Sequence, residues 1–128
     1  TAALFQRGDR WAIVRLHDLP QRAPRRFLVD GVELVLVRDH HTVHALYGRC
    51  PHRLAPLSDA IVEQDRLVCP HHGWDFRLDS GISEGVPGES VHRFTIAIDE
   101  DLVWVGAREL SLWRLTHSEA FSADDVIL

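Results

Sequence analysis

Cys50-Pro51-His52-Arg53 and Cys69-Pro70-His71-His72-Gly73-Trp74 are the two segments that decide how this 128-residue chain is read. They set two thiols and two imidazoles in a C-x-H … C-x-x-H arrangement, with 16 residues between His52 and Cys69. Two soft thiolates with two imidazoles suit tetrahedral zinc or an iron–sulfur centre. They suit magnesium, calcium or manganese poorly, because those ions prefer oxygen. Zinc modules of the usual kind pair Cys with Cys and His with His along the chain, whereas here each loop carries one Cys and one His ligand. A [2Fe-2S] cluster in which one iron takes both thiolates and the other both imidazoles needs two such mixed loops facing each other. Zinc in the same four ligands is the alternative.

Extended outward, the stretch reads Cys50-Pro51-His52-Arg53 … Leu57-Ser58-Asp59 … Cys69-Pro70-His71-His72-Gly73-Trp74-Asp75-Phe76 … Ser80-Gly81. It resembles the cluster-binding segment of Rieske proteins, in particular the bacterial ferredoxin and ring-hydroxylating oxygenase branch. The resemblance is specific over residues 48–88, and the remainder is a compatible β-rich frame. It implies an all-β fold: Rieske-type stacked antiparallel sheets with a small cluster-binding subdomain inserted. The expected organisation is a Rieske domain over 1–107, its subdomain at 48–88, and a C-terminal tail over 108–128 that docks on the domain or on a partner. The implied cofactor is a [2Fe-2S] cluster, with Cys50 and Cys69 on a buried inner iron and His52 and His72 on an outer iron nearer solvent. His71 is expected to be an exposed loop residue, since the C-x-x-H spacing favours His72.

Charge sets the expected redox behaviour. Replacing two of four thiolates by neutral imidazoles takes the oxidised cluster from −2 to zero, which eases reduction and gives Rieske centres a window of about −150 to +300 mV. High-potential Rieske proteins of respiratory chains add a disulfide between the loops and Ser and Tyr hydroxyls aimed at the sulfurs. Ala55, His71, Trp74 and Phe76 stand at those positions here. All four devices are missing, so the expected potential is low, roughly −150 to −50 mV.

Composition narrows the remaining choices. A chain of this length buries a core without staples, and both of its two cysteines are claimed by the motif, which makes the cytoplasm the simplest compartment. Thr1-Ala2-Ala3-Leu4-Phe5 is not a basic segment followed by an apolar run, and 18 consecutive apolar residues occur nowhere, so a soluble, unexported protein is expected. The net charge of −5 argues against nucleic acid as a partner and towards one with a basic docking patch. Arg22, Arg25 and Arg26 are read as solvated loop charge.

Away from the two loops, short β-branched and aromatic runs indicate strands at 11–16, 26–29, 33–38, 43–46, 66–68, 75–77, 93–98 and 102–105. Asp30-Gly31 between two such runs is a tight-hairpin signal, and Asp39-His40-His41 and Asp99-Glu100-Asp101 read as further turns. Each metal loop begins Cys-Pro, which stiffens it. The resemblance also implies a proline loop over the cluster, for which Pro87 is the candidate. A short helix is expected within 118–125. His40, His41 and His44 read as surface, His17, His92 and His117 as structural or exposed, and Trp74 as a shield beside His72. Ser58-Asp59 and Ser83-Glu84 read as ordinary turn residues.

No nucleophile, acid–base pair or phosphate loop is present, so no substrate chemistry of its own is expected. The leading function is single-electron transfer by a Rieske ferredoxin between a flavoprotein reductase and an oxygenase or other redox enzyme. The alternative is a Rieske domain or subunit of a larger oxygenase or flavoenzyme, and a structural zinc domain is the third reading.

Overall fold

The computed structural model describes residues 1–52, 54–70 and 73–117. His71, the expected ligand His72 and the helix expected within 118–125 lie outside the described residues. Among the described residues eleven strands run in chain order: β1 (Phe5–Arg7), β2 (Arg10–Arg15), β3 (Arg25–Val29), β4 (Val32–Asp39), β5 (Thr42–Tyr47), β6 (Ile61–Glu63), β7 (Arg66–Val68), β8 (Asp75–Arg77), β9 (Arg93–Phe94), β10 (Ile96–Asp99) and β11 (Leu102–Gly106). One helix, α1 (Ala107–Thr116), follows. The strands form two four-stranded antiparallel sheets, ordered β1-β2-β11-β10 and β3-β4-β5-β9, and a three-stranded sheet β6-β7-β8.

The centre of the fold is β4, whose sequence is nearly continuous in apolar residues rather than alternating. Both of its faces are buried. Val32, Leu34 and Leu36 enter a core shared with β2, β11 and α1, whereas Val35 and Val37 enter a second core built on the small sheet and the two cysteine loops. Side-chain alternation along a strand thus lets one strand join the frame to the inserted subdomain. The Asp30-Gly31 turn that feeds it has positive φ at both residues (48° and 79°), the mirror-image turn whose twist matches a hairpin.

Three local features differ from the sequence expectation. Residues 93–98 are two strands in two sheets: β9 pairs with β5, β10 pairs with β11, and the chain crosses between sheets at Thr95. The Thr95 N–H there donates to the Glu109 carboxylate of α1 at 3.0 Å. The strands β1 and β6, three residues each, go unmarked because neither is long enough to show a period by itself. α1 is likewise unmarked in the sequence, because its apolar residues face two ways: Leu110 and Trp113 are buried in the main core, while Leu112 and Leu115 are 51% and 75% exposed. Arg114 anchors the helix by donating to the Asp30 carbonyl at 2.9 Å.

Candidate metal centre

Two loops of the inserted subdomain carry the cysteines, the first following β5 and the second joining β7 to β8. They share one backbone design. In the first, the Cys50 N–H donates to the Ala55 carbonyl (2.9 Å) and the Cys50 carbonyl accepts from the Leu54 N–H (2.7 Å). In the second, the Cys69 N–H donates to the Trp74 carbonyl (2.8 Å) and the Cys69 carbonyl accepts from the Gly73 N–H (3.0 Å). Four residues past each cysteine the chain turns left-handed, at Leu54 (φ 56°) and at Gly73 (φ 70°). The second loop meets that requirement with glycine, whereas the first places a leucine there that is 52% exposed.

Cys50 and Cys69 are 1% and 3% exposed and pack in the same core with Leu57, Leu67 and Phe76. The loops also meet at their rims, where the His52 imidazole stacks on the Trp74 indole with centroids 4.6 Å apart and planes at 23°. Trp74, expected beside His72, therefore contacts the histidine of the other loop. Arg49 braces the first loop: its Nε is 3.0 Å from the Glu33 carboxylate, and its Nη1 donates to the Leu54 carbonyl at 3.0 Å.

The second loop is braced from its foot. Asp75 is 6% exposed, and its carboxylate accepts from the Gly85 N–H (2.9 Å), the Glu84 N–H (3.1 Å) and the Ser83 hydroxyl (3.1 Å). Burial alone would raise the Asp75 pKa, but the Gly85 and Glu84 amides and the Ser83 hydroxyl outweigh it and hold the group below the ordinary carboxylate range. Ser83 is itself 6% exposed, which corrects its reading as an ordinary turn residue. Pro87, the candidate covering proline, is exposed, and Ser83–Val86 just before it is the part of this segment tied to the second loop. The one clue to Asp75 in the sequence is a carboxylate between two aromatic residues in a strand, a pattern compatible with an outward-facing charge.

Among the other histidines, His17 pairs with Asp101, His40 with Asp39 and His92 with Glu109, while His117 stacks on Trp113. His44 departs from its surface reading. It lies opposite Val37 in the centre of a sheet, half-buried, with a buried Nδ1 that has no hydrogen-bond partner among the described residues. Burial first, then the Arg93 charge, pushes its pKa down.

A family model of the Rieske [2Fe-2S] domain matches residues 9–96. The chain belongs to the Rieske family. Its domain is similar to the solved ferredoxin of carbazole 1,9a-dioxygenase from Nocardioides aromaticivorans IC177, with a TM-score of 0.72 and 26% identity over 77% of this chain and 98% of that one. It is also similar to dicamba monooxygenase, with a TM-score of 0.68 and 28% identity over 77% of this chain and 33% of that one. Human apoptosis-inducing factor 3 is 33% identical over 102 residues, which is 79% of this chain. The chain spans 17% of the length of that relative.

A Rieske domain binds a [2Fe-2S] cluster, and the described residues fit one. Two buried thiols converge from loops of matching backbone, in a mainly apolar core that excludes water, with an imidazole at the rim. Ala55 and Phe76 pack in that same core and bring neither a thiol nor a hydroxyl, in keeping with a cluster whose potential is not raised by such groups.

Proposed function

We propose that this Rieske domain is a single-electron carrier, with Cys50 and Cys69 holding a buried iron and His52 and His72 an outer one. Its electrons come from a flavoprotein reductase and go to an oxygenase or other redox enzyme. The observation that carries the proposal is the end-to-end likeness to a dioxygenase ferredoxin, 98% of whose chain is covered. When bound, the cluster supplies a one-electron couple. The chain keeps the thiols dry, holds His52 against Trp74 and leaves that imidazole partly exposed at the rim. A rigid ligand frame limits the reorganisation that accompanies each electron. The net charge of −5 suits partners with basic docking surfaces, and a reducing cytoplasm suits cysteines that serve as thiolate ligands.

A second reading, a Rieske domain within a larger oxygenase or flavoenzyme, is favoured by the 33% identity to a protein of which this chain spans only 17%. The mass of the protein in its native cells separates the two: about 14.6 kDa for the carrier, larger for the fused domain. The carrier itself is tested by iron, sulfide and zinc analysis with EPR of oxidised and dithionite-reduced protein. Stopped-flow transfer from a flavoprotein reductase to an oxygenase then follows. Two irons and two sulfides per chain, a rhombic reduced signal with average g below the free-electron value, and turnover-competent transfer are expected. A colourless protein with one zinc overturns the reading.

A further inference from the structure

The Asp75 carboxylate has no role in ligation, yet it is among the most buried charged groups described. Its position is informative. In the β7–β8 hairpin Val68 pairs with Asp75 one residue pair below the Cys69–Trp74 hydrogen bond, so Asp75 sits at the foot of the loop that carries Cys69. From there its two oxygens take up three donors from Ser83, Glu84 and Gly85, while Arg66 lies 3.6 Å away and is 35% exposed. The fit is close, since a Cβ on Gly85 would stand 2.7 Å from Asp75 Oδ1. Two residues along the same strand and on the same face, Arg77 holds the segment through the Glu84 carboxylate at 3.3 Å, and its backbone N–H donates to the Ile82 carbonyl at 3.0 Å. One face of the strand therefore grips residues 82–85 with a carboxylate and a guanidinium, while Phe76 between them faces the cysteine core.

Resting on the electron-carrier reading, we propose that Asp75 is a positioning residue that also tunes the cluster: its ionised carboxylate fastens residues 83–86 to the foot of the second ligand loop and holds the reduction potential down. Three donors from one segment to one buried carboxylate make charge-assisted bonds, stronger than neutral ones, so the segment and the hairpin move as one body. Reduction adds a negative charge to the cluster, and a fixed anion nearby in a poorly screening interior opposes it. Arg66, about a third of it exposed, offsets this only in part, because water screens it.

The test uses the cluster-loaded protein and three forms: wild type, Asp75→Asn and Ser83→Ala. Iron and sulfide are assayed first. A wild type lacking two of each sinks the electron-carrier reading itself, independently of Asp75. On loaded protein, the midpoint potential and the amide exchange of Glu84, Gly85 and Val86 are measured. D75N is expected to favour the reduced state about tenfold, a 59 mV rise for one electron, with faster exchange at all three amides. S83A is expected to speed the exchange while its potential stays within twofold of wild type in equilibrium constant. A D75N potential equal to wild type overturns the tuning role. An equal rise in S83A overturns the charge as its cause, and unchanged exchange in both overturns the fastening. If D75N does not retain the cluster, S83A still decides the fastening, and Asp75→Ser, which removes the charge but keeps a small polar side chain, decides the tuning by raising the potential or failing to.

Discussion

Gly85→Ala adds one methyl group, and the geometry around Asp75 says what it does. Gly85 lies outside the left-handed region, so the cost is steric. The new Cβ would stand 2.7 Å from Asp75 Oδ1, against 3.4 Å for ordinary contact. That oxygen has nowhere to go without loss, because it accepts from both the Gly85 N–H (2.9 Å) and the Ser83 hydroxyl (3.1 Å), while Oδ2 is held by the Glu84 N–H (3.1 Å). Hydrogen bonds to a charged group contribute about 1.5–3 kcal/mol each, so losing one costs about 2 kcal/mol and losing both about 4 kcal/mol. Exchange of the Glu84 and Val86 amides reads this directly as local opening. At about 1.4 kcal/mol per decade, the smaller loss speeds exchange roughly 30-fold. Gly88→Ala is the matched control: Gly88 has φ 83° and nothing within 4 Å of a Cβ, so it incurs about 1 kcal/mol of backbone strain and leaves the Asp75 bonds intact. Exchange in G85A within threefold of wild type, or equal to that in G88A, would refute the reasoning.

Close backbone approaches and buried polar atoms elsewhere in the fold set further outcomes. Gly81→Ala combines φ 77° with a Cβ driven into the Val91 carbonyl oxygen, a backbone atom that cannot rotate away; it is expected to cost about 3 kcal/mol or more and to give little cluster-loaded protein by iron content, and normal loading would contradict the close approach. His44→Val removes the buried unpartnered Nδ1 and is expected to stabilise the fold by about 1 kcal/mol at neutral pH, read from exchange of the Val35 and Leu46 amides. Because the folded-state pKa of His44 lies below the unfolded value, its contribution is whole above about pH 6.5 and is lost as pH falls from there through the folded pKa, so the advantage of H44V widens on acidification; a gain that narrows refutes the assignment. His52→Cys replaces a neutral imidazole with a thiolate and is expected to lower the potential by at least about 100 mV, towards the about −400 mV of all-cysteine ferredoxins, as measured by redox titration; an unchanged potential removes His52 from the ligand set.

The cysteine–histidine spacing, the tight-turn dipeptide Asp30-Gly31 and the β-branched runs are local signals, and local chemistry alone made the family, the cofactor and most of the strands legible in the sequence. Their information lies within a few residues of each signal: ligand type, turn conformation, side-chain period. What depends on residues distant in the chain was not legible. The exchange of sheets at Thr95 depends on Glu109 arriving from α1, and the burial of His44 depends on its place opposite Val37. The role of Asp75 depends on donors eight to ten residues ahead that read as an ordinary turn. The leucine at position 54 shows the division most clearly. Its identity is plain in the sequence, but its left-handed backbone appears only when the loop closes on Cys50 and matches the loop closed by Gly73. A buried charge or a strained residue is defined by what surrounds it, and those surroundings are assembled only by the folded chain.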